Sequence, residues 1–324
     1  MKKAFEIVHG DRSALGRARL SLEGLSVGDA FGERFFGSPS IVESLIESRA
    51  VPAAPWHWTD DTAMALSIFE QLQERRGIDP ESLALSFANR YRMDPRRGYG
   101  GTAHGILTAI SLGEPWREAA GAVFDGQGSM GNGGGMRSAP IGGYFADDFE
   151  SVVAHARASA EPTHAHADGQ TGAIAVAVAA ALACKVASGA CQRQDFLGEV
   201  AAWLPEGPTR DGIEKAATLP LAFDVRTAVA ALGNGSRVIS SDTIPFAMWC
   251  AARHIDDFEQ ALWTTVSGLG DRDTTCAIVG GIVALSVGHS GIPRAFVEAR
   301  EPLNSEADYL ARHAEEVRVG RGNP

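Results

Sequence analysis

The chain is short of cysteine, of positive charge and of any apolar stretch long enough to cross a bilayer, and each shortage removes a class of protein. Its four cysteines, Cys184, Cys191, Cys250 and Cys276, include no C-x-x-C pair, so neither a zinc site nor a disulfide framework is suggested and cytoplasmic thiols are expected. Twenty-nine Lys and Arg face 40 Asp and Glu, a formal net charge of -11. A diffuse footprint for nucleic acid or an anionic membrane is therefore absent, and a phosphate-bearing ligand must be met locally. The first residues, Met1-Lys2-Lys3 followed by Glu6, His9 and Asp11, lack the apolar core of a signal peptide. The longest apolar stretch, Gly172 to Ala183, is Ala-rich and too short for a span, so it reads as a buried core helix. A cytoplasmic monomer that binds neither membrane nor nucleic acid is expected.

What is present is apolar material for a large core: 45% of the 324 residues are hydrophobic and 21% charged. No Pro/Ser-rich linker or charge run divides the chain, which reads as one domain over residues 1–324. Apolar residues recur at helical spacing, and alternating β-branched runs with hairpin turns are missing, so the fold class is all-α. Helices are expected over Ser13 to Glu33, Thr59 to Glu74, Pro80 to Arg92, Gly100 to Leu112, Trp116 to Phe124, Gly135 to Phe145 and Asp148 to Ser159. Further ones are expected over Ala167 to Ala187, Asp195 to Leu204, Asp211 to Leu219, Val225 to Leu232, Asp242 to His254, Phe258 to Leu269, Arg272 to Val287 and Asn304 to Val317. Glycine is frequent, at 37 residues, and much of it sits in or beside these helices. Since glycine costs a helix about 1 kcal/mol relative to alanine, such placement points to backbones that approach each other or a ligand closely.

Four constellations carry chemistry. Thr59-Asp60-Asp61-Thr62 and Gly270-Asp271-Arg272-Asp273-Thr274-Thr275 each open an apolar helix. Capping and the helix dipole would explain one acid at each start, but paired anions repel, and a cap needs only one. A crowd of hard oxygen donors suits Mg²⁺, Mn²⁺ or Ca²⁺ and not soft metals. If the two helix starts meet, Thr59, Asp60, Asp61, Asp271, Asp273 and Thr274 could hold two cations about 4 Å apart. The third constellation runs from Phe124 through Gly128-Ser129-Met130-Gly131-Asn132-Gly133-Gly134-Gly135 to Arg137. Small residues before a helix leave backbone N–H groups open to an anion; the segment lacks the Gly-Lys-Ser/Thr of a P-loop and the preceding strand of a dinucleotide fingerprint. The fourth, Glu161-Pro162-Thr163-His164-Ala165-His166, joins two helices and fits ligand contact better than metal ligation.

In this order the elements resemble the ADP-ribosylglycohydrolase family. The resemblance runs from Gly24-Leu25-Ser26-Val27-Gly28-Asp29-Ala30-Phe31-Gly32 through the two aspartate clusters and the glycine loop, leaving only the last ~35 residues outside it. It implies a compact, orthogonal all-α domain with two magnesium or manganese ions in a central cleft. It places Thr59, Asp60, Asp61, Asp271, Asp273 and Thr274 at metal-ligand positions, and Gly128, Ser129, Gly131, Asn132 and Gly133 on a loop holding a diphosphate and the nearby ribose. His164 falls on a diphosphate-side contact and Phe124 on an aromatic that stacks against adenine. One departure concerns an acid near the scissile bond: similar family members carry glutamate where this chain has Phe36, and Glu33 is the nearest substitute.

The function expected on this basis is metal-dependent hydrolysis of the glycosidic bond of an ADP-ribosyl group. The substrate would be a conjugate of ADP-ribose with a small molecule or with an arginine, serine or other side chain of a protein. Asp60 or Asp61 would guide or deprotonate the water, and Glu33 would deliver the proton. Two other readings stand beside it: a catalytically silent ADP-ribose-binding or structural member, and a metal-dependent phosphoesterase.

Overall fold

The computed structural model describes residues 13–303, so the helix expected over Asn304 to Val317 lies outside the described residues. Within them the chain forms helices α1 (Ala14–Glu33), α2 (Pro39–Ser48), α3 (Asp60–Arg75), α4 (Pro80–Met93), α5 (Gly101–Ser111), α6 (Trp116–Ala122), α7 (Gly133–Met136), α8 (Ala139–Tyr144) and α9 (Phe149–Ala160). They continue as α10 (Ala167–Ala187), α11 (Phe196–Ala202), α12 (Pro208–Thr218), α13 (Val225–Leu232), α14 (Ser240–Arg253), α15 (Phe258–Val266), α16 (Arg272–Val287) and α17 (Arg294–Ala299). No strand occurs among the described residues; only isolated bridges pair Trp56 with Arg300 and Gly131 with Ile239. The fold is all-α, as the apolar periodicity implies.

Side-chain caps start many of these helices. Ser13, Thr59, Asp79, Asp148, Asp224 and Asp257 each accept a backbone N–H from the first turn of the helix that follows. Where a single helix is expected over Gly135 to Phe145, the structure has α7 and α8 with a break at Arg137 and Ser138. The Ser138 hydroxyl donates to the carbonyls of Gly135 and Ala173, and Pro140 sits in the first turn of α8, where its missing N–H costs nothing. The helix expected to reach Phe124 stops at Ala122, because Phe124 and Asp125 adopt left-handed backbone with φ of 54° and 56°. Helices α2 and α17 are not apparent from periodicity; α2 buries only Val42 and α17 only Phe296.

The core is organised around three apolar helices. The apolar stretch read as too short for a span extends in the structure to the 21-residue α10, which by length and composition could cross a bilayer, but most of it is buried, as a core helix is, against α7, α8, α9, α14 and α16. Helices α1 and α16 make the most extensive contact and run antiparallel through a stripe of small residues. A Cβ on Gly24 would strike the Gly280 carbonyl, one on Gly28 the Cys276 carbonyl, and one on Gly32 the Arg272 carbonyl. Without side chains at these positions the two backbones touch along three turns, gaining dispersion contacts that any larger residue would forbid. The register has a direct consequence for function: the C-terminal end of α1, with Asp29 and Glu33, lies against the N-terminal end of α16, with Asp271 and Asp273.

Candidate metal centre and ligand cleft

Asp29 joins α3 to this pair. Its carboxylate is fully buried and accepts hydrogen bonds from Thr59 N (2.9 Å), Thr59 Oγ1 (2.9 Å), Thr62 N (3.1 Å) and the Thr62 hydroxyl. The start of α3 is thereby fixed over the end of α1, and the two acidic helix starts face each other. Burial pushes Asp29 up to about 6, opposed by these hydrogen bonds. Desolvation, then the charges of Asp29 and Asp271, lifts Asp60 to about 7. Asp61 rises well above the carboxylate range through burial and then through Asp29, Asp273, Asp60 and Asp271. Asp273 does the same through burial, then Asp271 and Asp29. Acids from α1, α3 and the start of α16 thus share one electrostatic field, although the last lie more than 200 positions from the others.

Individual side chains differ in how far they are engaged. Thr59 caps α3, with its hydroxyl 3.1 Å from Asp61 Oδ2. Asp60 N donates to Arg97 O at 2.6 Å, which ties the helix start to the loop before α5. Asp61 Oδ1 is buried and has no hydrogen-bond partner. Asp271 stands at the N-cap of α16 without capping it; its Oδ2 accepts from Asn132 Nδ2 at 2.6 Å instead. Asp273 Oδ1 accepts from the N–H of Thr274, which is itself buried. Among the described residues no group of three or more His, Cys, Asp or Glu side chains forms a ready-made metal cage. Asp29 and Asp271 accept hydrogen bonds from the protein's own donors, Thr59, Thr62 and Asn132. The donor set nevertheless suits a hard divalent cation: it is carboxylate and hydroxyl only, and one buried carboxylate oxygen, Asp61 Oδ1, is left open.

Glu33, the last residue of α1, is exposed at the rim and lines a cavity of about 420 Å³ with His57, Trp58, Thr59, Asp94, Arg96, Arg97 and Gly98. Its carboxyl is pushed up, first by desolvation and then by Asp29. Phe36 is turned the other way, under the Arg272 guanidinium at 4.8 Å, while Arg272 Nη1 donates to Phe35 O at 2.7 Å. The end of the α1 segment is thus pinned to α16 by an arginine and an aromatic ring, and Glu33 shares the rim cavity with Thr59 and Asp94.

The glycine loop closes the other side. Gly128 has φ of +77°, and a Cβ there would lie 2.6 Å from His166 N, so only glycine fits. Ser129 Oγ accepts from Gly131 N at 3.1 Å, and Asn132 N donates to Val238 O at 3.3 Å. The N–H groups of Ser129, Met130 and Gly133 have no hydrogen-bond acceptor among the described residues and could meet an anion. His164 lies beneath this loop; a Cβ on Gly131 would sit 3.3 Å from its Nε2 and one on Gly133 3.5 Å. Phe124 projects beside the loop, 59% exposed, on a backbone whose left-handed φ a bulky residue rarely adopts. Asn132 ties the loop to α14 and to the acidic start of α16, since its side chain donates to Thr243 Oγ1 as well as to Asp271.

Two residues in this neighbourhood were not singled out by sequence reasoning. Asp29 occurs within the quoted Gly-Asp element, and the signal was its charge inside an otherwise buried helical stretch. Arg137, 1% exposed at the break between α7 and α8, carried no signal beyond its place after the glycines.

Comparison with known proteins agrees with this architecture. The family model for ADP-ribosylglycohydrolase matches residues 11–323, so the final segment, expected to fall outside the resemblance, is within it. The chain is 29% identical to the ADP-ribosylhydrolase ARH3 of Homo sapiens, covering 95% of each protein. It is 24% identical to the ADP-ribosylarginine hydrolase Tri1 of Serratia proteamaculans, over 93% of this chain and 80% of that one. A solved structure described as an ADP-ribosylglycohydrolase-related protein complex shares the fold with a TM-score of 0.64 at 23% identity, covering 92% of this chain and 97% of the other.

Proposed function

The chain belongs to the ADP-ribosylglycohydrolase family, and from that premise we propose that it is a divalent-metal-dependent hydrolase that releases ADP-ribose from a modified acceptor by cleaving the glycosidic bond at the anomeric carbon. The observation that carries this reading is the meeting of the acidic starts of α3 and α16 at the end of α1. Thr59, Asp60, Asp61, Asp271, Asp273 and Thr274 would hold the two cations, Mg²⁺ or Mn²⁺, their oxygen donors matching hard ions. Such ions supply Lewis acidity and make water a better nucleophile near neutral pH.

The remaining work falls to the chain itself. Cleavage at an anomeric carbon passes through an oxocarbenium-like state, which demands an oriented water and a proton for the leaving group. Asp60 or Asp61 guides or deprotonates the water from within the acidic cluster. Glu33, on the rim beside Thr59, delivers the proton, in place of the acid that Phe36 cannot provide. The open N–H groups of the Gly128–Gly133 segment, with Ser129, Asn132 and His164, receive the diphosphate and its ribose, and exposed Phe124 offers its ring to the adenine. The relatives' names include an ADP-ribosylarginine hydrolase, so an ADP-ribosylated protein is among the acceptors to be tested.

Incubation with Mg²⁺ and ADP-ribosylated arginine and serine peptides, alongside O-acetyl-ADP-ribose, tests the proposal. Free ADP-ribose from at least one of them is the expected product. Release of AMP would mean attack on the diphosphate and a phosphoesterase; tight ADP-ribose binding without any product would mean a silent member.

A further inference from the structure

Arg137 is fully buried and its charge acts on Asp60, yet it forms no ion pair among the described residues and its hydrogen bonds go elsewhere. Its Nη2 donates to Ser159 O at 2.9 Å and to Thr163 Oγ1 at 2.8 Å, its Nη1 reaches Met64 Sδ at 3.3 Å, and its guanidinium stacks on the Phe87 ring at 4.4 Å. Removing a guanidinium from water costs several kcal/mol, offset here by these contacts and by the nearby charges of Asp60 and Asp61.

Hydrogen-bond bookkeeping along the chain of contacts says what the guanidinium does. A guanidinium can only donate, so Thr163 Oγ1 must accept from Arg137. The hydroxyl hydrogen is then free to go elsewhere, and its options are Ala160 O at 3.4 Å and His164 Nδ1 at 2.8 Å. The shorter contact is the ring nitrogen. With Nδ1 accepting, the proton of the neutral imidazole resides on Nε2, the atom beneath Gly131 and Gly133. Among the described residues Nε2 has no hydrogen-bond partner, and the side chain keeps 7% exposure.

We propose that Arg137, acting through the Thr163 hydroxyl, is a positioning residue that locks His164 in its Nε2–H tautomer and aims that N–H through the Gly131–Gly133 cradle at the diphosphate of the bound nucleotide. The ligand half of this rests on the ADP-ribose reading; the tautomer half rests on the contacts alone. Burial, followed by the Arg137 charge, pushes His164 down to about 3, so the ring is a neutral donor throughout the physiological range. A neutral donor held in one orientation discriminates by direction, complementing the backbone N–H groups of the loop.

The test pairs a spectrum with a titration on the full-length protein. Nitrogen-15 to ring-proton correlations of His164 should show protonated Nε2 and a hydrogen-bonded Nδ1. In Thr163→Val, which keeps the volume and removes the hydroxyl, the Nδ1 resonance should move to its unbonded position or the tautomers should mix; Thr163→Ser should restore the original pattern. Calorimetric titration with ADP-ribose should show about tenfold weaker binding for Thr163→Val and recovery to within about twofold for Thr163→Ser, the size expected for one hydrogen bond to a charged group. Arg137→Lys, if it folds, should weaken binding similarly. A wild-type ring protonated at Nδ1, or an Nδ1 signal indifferent to Thr163→Val, overturns the relay. Failure of the wild-type protein to bind ADP-ribose overturns the functional reading and the ligand half with it, whereas the tautomer half falls only with the spectrum.

Discussion

At the scale of single residues, the cleft is built from groups that water would ordinarily change. His164 is the clearest case, because its folded pKa of about 3 lies well below the ordinary value of 6.5. Between those values the unfolded chain binds a proton that the folded chain refuses, so stability is full above pH 6.5 and declines as pH falls toward 3. Urea unfolding of the wild-type protein and His164→Asn at pH 6.5 and pH 5 should isolate this. The wild type should lose up to ~2 kcal/mol more than the variant over that interval, one pKa unit corresponding to about 1.4 kcal/mol. Equal losses would mean that the imidazole protonates in the folded state. The sequence displayed His164 and Thr163 side by side, but nothing in it revealed that Arg137 lies behind them, since that contact depends on how α7, α8 and α9 close. Phe36 shows the reverse situation. The absence of an acid there was legible at once, while its pairing with Arg272 was not.

At the scale of elements, the caps and periodicity made most long helices legible, and what escaped was whatever tertiary contacts decide. Thr59 and Asp148 announce α3 and α9, whereas the break between α7 and α8 depends on the Ser138 hydroxyl reaching Ala173 on α10. The same holds for the α1–α16 seam: the spacing of Gly24, Gly28 and Gly32 is visible, but their partner is not. The seam makes a directional prediction about one kind of substitution. Gly28→Ala drives a methyl into the Cys276 carbonyl and should cost roughly 1–3 kcal/mol as the helices are forced apart. Gly105→Ala, in α5, meets nothing within 4 Å and should stabilise by about 0.5–1 kcal/mol through helix propensity. Denaturation midpoints of the two variants should therefore move in opposite directions. Because Gly28 adjoins Asp29, Gly28→Ala should also impair turnover beyond its effect on stability, whereas Gly105→Ala should leave turnover unchanged.

At the scale of the whole molecule, the acidic centre is assembled from both ends of the described chain, and this sets how a cation would act on the fold. Asp29 comes from α1, Asp60 and Asp61 from α3, and Asp271 and Asp273 from the start of α16. An unfolded chain cannot bring these together, so an ion held by both clusters binds the folded state alone and stabilises it by mass action. At a concentration 100 times its dissociation constant that amounts to about 2.7 kcal/mol, which for a protein of this size corresponds to a rise of roughly 4 °C in Tm. Thermal unfolding in Mg²⁺ or Mn²⁺ after chelation should show this shift, and Ca²⁺ a smaller one, because its larger coordination sphere asks for more oxygens than the cluster presents. Asp61→Ala and Asp273→Ala remove one carboxylate from each helix start. If both starts grip the ions, each variant should lose most of the shift as well as turnover, although the substituted positions lie more than 200 residues apart. A shift that survives either substitution intact would place the ion at one helix alone, and the shared centre on which the hydrolase reading depends would be wrong.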